Sequence, residues 1–234
     1  MLLIMASIPA FAQKEKWFVS FSAGAGIGGP SASIKSQMRK QGFDQTADYN
    51  FFGLSGSTSY PRKEAGGTFL LRFGKRMDAR RSLYFIVGQT DKAEVSGFKN
   101  QGSSSFLGII GGSYGPFPQV QYKVWQVTGG FLFQTSSRAK LGIGPSVFVI
   151  PYSLSNATGF AYKQTSVMAG ASLSARLPIG RERRQFGMDF MVDVNLAPPA
   201  SMKIDGESAD GFHMKRANLI HASAGLAFTF RKLK

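Results

Sequence analysis

Between Gln185 and Leu196 apolar and polar side chains alternate. Phe186, Met188, Phe190, Val192, Val194 and Leu196 fall on one face, and Gly187, Asp189, Met191, Asp193 and Asn195 on the other. A period of two is the strand period, because successive side chains leave a pleated chain on opposite sides. The same alternation recurs along the chain and predicts eight strands. They are Lys16–Gly28, Gly67–Arg76, Ser82–Val95, Val120–Gln134, Lys140–Ile150, Gln164–Leu177, Gln185–Leu196 and Ala217–Phe230. In most of them the less apolar face is built from Gly, Ser, Ala and Thr rather than from charged residues. Such a face suits the narrow interior of a small closed barrel better than open water.

The segments between the strands alternate between long and short. An even strand number with both ends beside the short turns is the plan of a transmembrane β-barrel. About 11 residues at ~3.3 Å each, tilted ~40°, rise roughly 28 Å, close to the apolar band that such barrels expose. Trp17, Phe73, Phe85, Phe133, Phe186 and Phe230 all fall at strand ends beside the short turns or the termini, where an aromatic girdle would meet one membrane interface. The expected fold is therefore all-β, an eight-stranded antiparallel up-and-down transmembrane barrel.

Three segments fit the series less well. Val120–Gln134 changes phase, which predicts a β-bulge near Val124–Trp125. The stretch from Gly29 to Gly66 reads as a polar loop in which Ile34–Gln41 has room for one or two helical turns. Pro151–Lys163 and Ala197–Arg216 read as loops, and Phe106–Ile110 has no place among the strands. Asp91, Lys92 and Glu94 are too charged for hydrocarbon and should project beyond it.

Composition agrees with this reading without proving it. No run reaches the ~18 apolar residues of a membrane helix. A mean hydropathy of −0.07 is what lumen-facing polar residues produce when they dilute lipid-facing ones. The 234 residues hold 28 Gly and 21 Phe but no Cys, which removes disulfides, thiolate metal sites and cysteine nucleophiles. At the N-terminus, Leu2–Met5 begins an apolar run and Ala10-Phe11-Ala12 is an A-x-A cleavage pattern. Residues 1–12 thus read as a signal segment lacking its basic start, and residues 13–234 as the barrel. The net charge of +15 sits in short clusters between strands, so nucleic acid is not the expected partner. Most of it crowds the short turns, at Arg76, Arg80, Arg81, Arg138, Lys140, Arg181, Arg183 and Arg184. A rim this basic suits phospholipid headgroups or peptidoglycan carboxylates. In the first long segment Lys35, Arg39, Lys40, Arg62 and Lys63 suit lipopolysaccharide phosphates.

With its signal segment, eight dyad-repeat strands, long loops opposite short turns and aromatic last strand, the whole mature chain resembles the small outer-membrane β-barrels of Gram-negative bacteria. These are the OmpA transmembrane-domain and OmpX-like group and the PorT-like barrels of Bacteroidetes. One departure is Arg231-Lys232-Leu233-Lys234 after Phe230, where those families end on an aromatic. The resemblance implies a monomer in the cell outer membrane, in contact with membrane lipid and lipopolysaccharide, that needs no cofactor or metal.

Four groups carry candidate chemistry. Arg72, Arg176, Asp189 and Asp193 are expected in the lumen, where a charge must be paired or wetted, and they read as an ion-pair network that plugs the barrel. His221 and Ser223 share a strand face, and RANLIHASAGL resembles the His-x-Ser stretch of barrels that deacylate lipid A. That chemistry needs an acid to orient the histidine, and no Asp or Glu follows it; the position after the serine is Ala224. Gly24–Gly29 matches G-x-G-x-x-G, but Gly29-Pro30-Ser31 reads as the start of a polar loop rather than the helix a dinucleotide site requires. Asp205, Glu207, Asp210 and His213 share one loop at spacings that calcium tolerates, without the EF-hand series, and an exposed acidic loop accounts for them. The expected role is structural or surface-contacting and non-enzymatic. The alternatives are a lipid A acyl hydrolase and a narrow pore or small-ligand binder.

Overall fold

The computed structural model describes residues 17–52, 54–78, 80–106, 110–135, 139–155, 161–179, 186–205 and 211–232. Eight strands form the barrel: β1 (Trp17–Gly28), β5 (Gly67–Arg76), β6 (Arg81–Ser96), β9 (Gln119–Gln134), β10 (Lys140–Ser155), β11 (Ala161–Ile179), β12 (Phe186–Ile204) and β13 (Met214–Lys232). Each pairs antiparallel with its chain neighbour in the barrel. β1 also pairs with β13, from Trp17↔Lys232 to Gly28↔His221, and this completes the ring. The signal segment lies outside the described residues.

The strands run beyond the lengths read from the sequence. β10 continues to Ser155 and β11 begins at Ala161, so much of Pro151–Lys163 is strand rather than loop. β12 reaches Ile204 and β13 starts at Met214, through what reads as the Ala197–Arg216 loop. The cause is a reversal of polarity. On β10 the inward positions pass from Gly142, Gly144 and Ser146 to Phe148, Ile150, Tyr152 and Leu154, while the outward ones pass from Leu141, Ile143 and Val147 to Ser153 and Ser155. The backbone alternation is unbroken, but the solvent outside has changed from lipid to water.

The same reversal explains the phase change in β9. Burial alternates without interruption from Val120 to Leu132, so β9 carries no bulge. The irregularity lies opposite, on β6, where Gln89 pairs Trp125 and Asp91 pairs Val124, leaving Thr90 extra. It turns Asp91 inward and Lys92 outward. β10 pairs β9 except beside Gly144–Pro145 and Ile150–Pro151, and proline has no N–H to donate to that ladder.

Inward residues of the upper strand ends form an apolar core with Ile34 and Met38 of α1 (Pro30–Lys40). The segment Gly29–Gly66 is therefore not a polar loop. It holds this 11-residue helix, the hairpin β2 (Thr46–Phe51) and β3 (Leu54–Ser59), and β4 (Arg62–Ala65), which extends the β5 edge of β6. The helix sits where β1 ends short of β13. Its Ser33 hydroxyl accepts the Asn218 amide of β13 at 3.2 Å, a donor that β1 no longer reaches. β7 (Gly102–Phe106) and β8 (Ile110–Tyr114) give Phe106 and Ile110 a place, as the paired ends of a hairpin; 107–109 lie outside the described residues. β8 pairs β2, so a second sheet β3-β2-β8-β7 forms on the long-loop side. Tyr60, Phe98 and Phe117 pack at its base, with ring centroids 5.3 to 6.4 Å apart.

Candidate functional site in the barrel interior

The interior is built from the inward positions of all eight strands and changes character from bottom to top. Nearest the short turns, Arg176 of β11 meets Asp189 of β12 through Nε at 2.9 Å and Nη2 at 2.7 Å. Arg176 Nη2 also donates to Thr229 of β13 at 3.2 Å, the Thr229 hydroxyl donates to Asp189, and the guanidinium lies 4.6 Å from the Phe18 ring centre. One layer up, Arg72 of β5 pairs with Asp193 and donates to Ser22 at 3.1 Å, while Ser174 donates to Asp193 at 2.6 Å. A third layer is uncharged. Gln126 donates to Thr128 at 2.7 Å and Ser172 at 3.0 Å, Ser172 donates to Asn195, and the Thr128 and Ser146 hydroxyls lie 2.6 Å apart. All the charged members are buried, so each ion pair replaces water with directed hydrogen bonds.

His221 lies above this network and is 1% exposed. Neither ring nitrogen has a hydrogen-bond partner among the described residues. Its neighbour in β1 is Gly26, where an added Cβ would sit 2.2 Å from Nε2, so only glycine leaves the ring its space. Ser223 is buried on the same face. Its partner across the ladder, Asp193, is held by Arg72 and Ser174. The acid nearest in register to the pair is thus engaged elsewhere, and no printed hydrogen bond joins Ser223 to His221.

A further polar cluster, which sequence reasoning missed, closes the top of this column. The Tyr122 hydroxyl donates to Asp91 at 2.9 Å and receives the Ser31 amide at 3.3 Å. Lys63 Nζ is 3.7 Å from Asp91 and donates to the Gly28 carbonyl at 3.2 Å. The sequence signal was the odd residue count between Thr90 and Lys92, which turns Asp91 inward. The cluster also resolves the glycine motif. A helix does follow Gly29, contrary to the expected loop, but its N-terminus is already met by Tyr122 and Asp91 in a buried setting. A pyrophosphate has no room there.

The remaining candidates are positioned as follows. Trp17, Phe73, Phe85, Phe133, Phe186 and Phe230 all point outward and are exposed. Phe73 pairs with Phe85 and Phe186 with Phe230, and Lys75 lies 5.1 Å from the Trp17 ring centre. Asp205 and His213 flank a segment of which Glu207 and Asp210 lie outside the described residues, and no group of three potential metal ligands occurs among those described. At the short-turn rim, Asp78 accepts the amides of Arg80 and Arg81, each at 2.8 Å, and the Arg81 guanidinium at 2.6 Å. Those bonds, the Arg80 amide foremost, hold its carboxyl below the ordinary range. On α1, burial first, then Arg39 and Lys63, lower the Lys35 ammonium pKa.

A ring of eight antiparallel strands with an apolar belt outside and ion pairs inside defines the class: a small outer-membrane β-barrel. No family model and no curated protein sequence matches the chain. Solved structures similar to it include Ail of Yersinia pestis in complex with the heparin analogue sucrose octasulfate, at 10% identity over 92% of this chain and 99% of that one, with a TM-score of 0.44. OprG of Pseudomonas aeruginosa is similar at 11% identity over 94% and 98%, with a TM-score of 0.45. Neisserial surface protein A is similar at 13% identity over 92% and 97%, with a TM-score of 0.38. Likenesses this distant carry no weight beside the chain's own ladder, which closes the ring by itself.

Proposed function

We propose that the protein is a non-enzymatic, membrane-integral scaffold whose lumen is filled by its own side chains and whose outer end displays an ordered contact surface. The observation that carries this reading is the stack of polar layers, Arg176–Asp189, Arg72–Asp193 and Gln126–Ser172–Asn195, beneath an apolar core closed by α1. Buried charges that satisfy each other leave no wetted path for an ion to follow. The exposed second sheet presents Tyr49, Phe51, Phe52 and Leu54 to the outside, which suits contact with a partner surface. Arg76, Arg80 and Arg81, on the short-turn side, suit anionic headgroups or peptidoglycan.

The test is single-channel recording in planar bilayers. The wild-type barrel conducts no steady current, and Arg72→Ala with Asp193→Ala produces measurable openings. Steady wild-type conductance overturns the closed-lumen reading. Release of acyl chain from lipid A that stops in Ser223→Ala overturns the non-enzymatic one.

A further inference from the structure

On the outer wall, directly above the apolar belt, Lys92 of β6 and Lys123 of β9 are paired across the ladder. Like charges directly opposite on neighbouring strands repel, and side chains there are normally of opposite sign or neutral. Both ammonium groups are exposed, and neither forms an ion pair among the described residues. Lys163 of β11 lines the same groove, which measures about 840 Å³. The nearby carboxylates do not answer these lysines. Glu64 pairs with Arg62 at 3.3 Å, and Glu94 accepts Gln121 Nε2 at 2.9 Å.

The height of the pair matters. One row below Lys123 the outward residue is Trp125, and Val127, Val149 and Val167 continue the apolar wall beneath it. A tryptophan between an apolar wall and a row of lysines marks the level of lipid headgroups. Two residues further out than Lys92 the wall turns acidic, where Glu64 faces Glu94 across β4 and β6. A long polyanion would run from the lysines onto these carboxylates. A compact phosphate would not, and sugar hydroxyls above it would find acceptors in Glu64 and Glu94. Gly66 lets the Lys92 stem lie flat, since an added Cβ would come within 2.9 Å of the Lys92 Cβ.

We infer that this groove holds the phosphate of an outer-leaflet glycolipid between Lys92 and Lys123, with the sugar toward Glu64 and Glu94 and the acyl chains along Trp125 and Val149. A phosphate offers several oxygens to several donors at once, and so turns the repulsion between the ammonium groups into two charge-assisted contacts. The inference rests on the membrane-barrel reading above.

The experiment uses the full chain refolded in non-ionic detergent and diphosphoryl lipid A as probe, with retained lipid read by native mass spectrometry. Dephosphorylated lipid A and inorganic phosphate are the comparison probes. Wild type retains diphosphoryl lipid A, and Lys92→Gln with Lys123→Gln binds it roughly tenfold more weakly, the loss of a charge-assisted contact. Without lipid the single variant Lys92→Gln unfolds at the same or a higher temperature than wild type, because the repulsion is gone. Equal retention by wild type and the double variant, or equal retention of the two lipid A forms, overturns the inference. Complete displacement by an equal concentration of inorganic phosphate overturns the lipid and leaves a free-anion site. A heat-dependent gel shift in every sample separates the two levels of failure. A shifted barrel without selective binding sinks only this site, whereas a chain that folds in plain buffer and shows no shift sinks the membrane reading and the site with it.

Discussion

The two ends of the barrel are opposites built from the same strands. In the lower part β10 turns Gly142, Gly144 and Ser146 inward and Leu141, Ile143 and Val147 outward; in the upper part it turns Phe148, Ile150 and Leu154 inward and Ser153 and Ser155 outward. The lower part is stable only against lipid, because its apolar side chains face out and its charges pair within. The upper part obeys the ordinary rule of a soluble fold. Where the inversion falls on each strand marks where hydrocarbon ends, and the Thr90 irregularity, His221 and the Asp91 cluster all lie at that seam.

The largest effect that would sharpen this contrast comes from within the lower part. Arg72→Ala strands a buried Asp193 and should cost ~3–5 kcal/mol, whereas replacing both members by leucine should recover most of the loss. Guanidinium unfolding in detergent micelles measures it, and a mild single variant would mean that water already reaches the pair. In the upper part the loss is one of packing. Met38→Ala empties a fully buried site under α1 and should cost ~2–5 kcal/mol, with faster proteolysis of the segment around α1 and an unchanged gel shift. The outer wall gives a paired test. Leu226→Arg, on the lipid face, should destabilise the lipid-embedded barrel by ~2–4 kcal/mol. Ser153→Arg, outward on the upper part, should change stability by less than about 0.5 kcal/mol. Equal effects would erase the boundary.

The smallest effect concerns the rim. The Asp78 carboxyl is held below its ordinary range, so its contribution to turn order is present above the unfolded pKa of 3.8 and is lost as pH falls through the lower folded value. NMR titration of the Arg80 and Arg81 amides should show their shifts moving only in that acidic window, and Asp78→Asn should abolish the transition.

How much of this was legible in the sequence follows the same boundary. Within lipid, period-two patterning placed the strands, and β5 spans Gly67–Arg76 as read. It also put Arg72, Arg176, Asp189 and Asp193 inside, but which carboxylate each arginine meets depends on a stagger between strands that alternation alone does not contain. Above lipid the pattern inverts, so a reading that tracks an apolar outer face ends too early, as at Ile150 and Leu196, or imagines a bulge, as at Val124–Trp125. α1 was nearly invisible because it starts at a glycine with no side-chain cap and an empty acidic first turn. The second sheet is largely Ser and Gly, without the apolar alternation that announces a strand. Asp91 looked like a charge projecting outward because the extra residue on β6 cannot be counted until β9 is beside it.

The seam between β1 and β13 joins the two extremes of the described chain, with Trp17 opposite Lys232. Its contacts have nearly the greatest sequence separation the polypeptide allows, which makes closure slow and late. Until that last strand arrives, β1 and β12 each present an unsatisfied edge to any neighbour, including another copy in the same state. A chain interrupted before β13 is therefore not a seven-eighths barrel but an open ribbon with two adhesive sides, and escorting it to the end of synthesis becomes as much a requirement of the architecture as the lipid it finally meets.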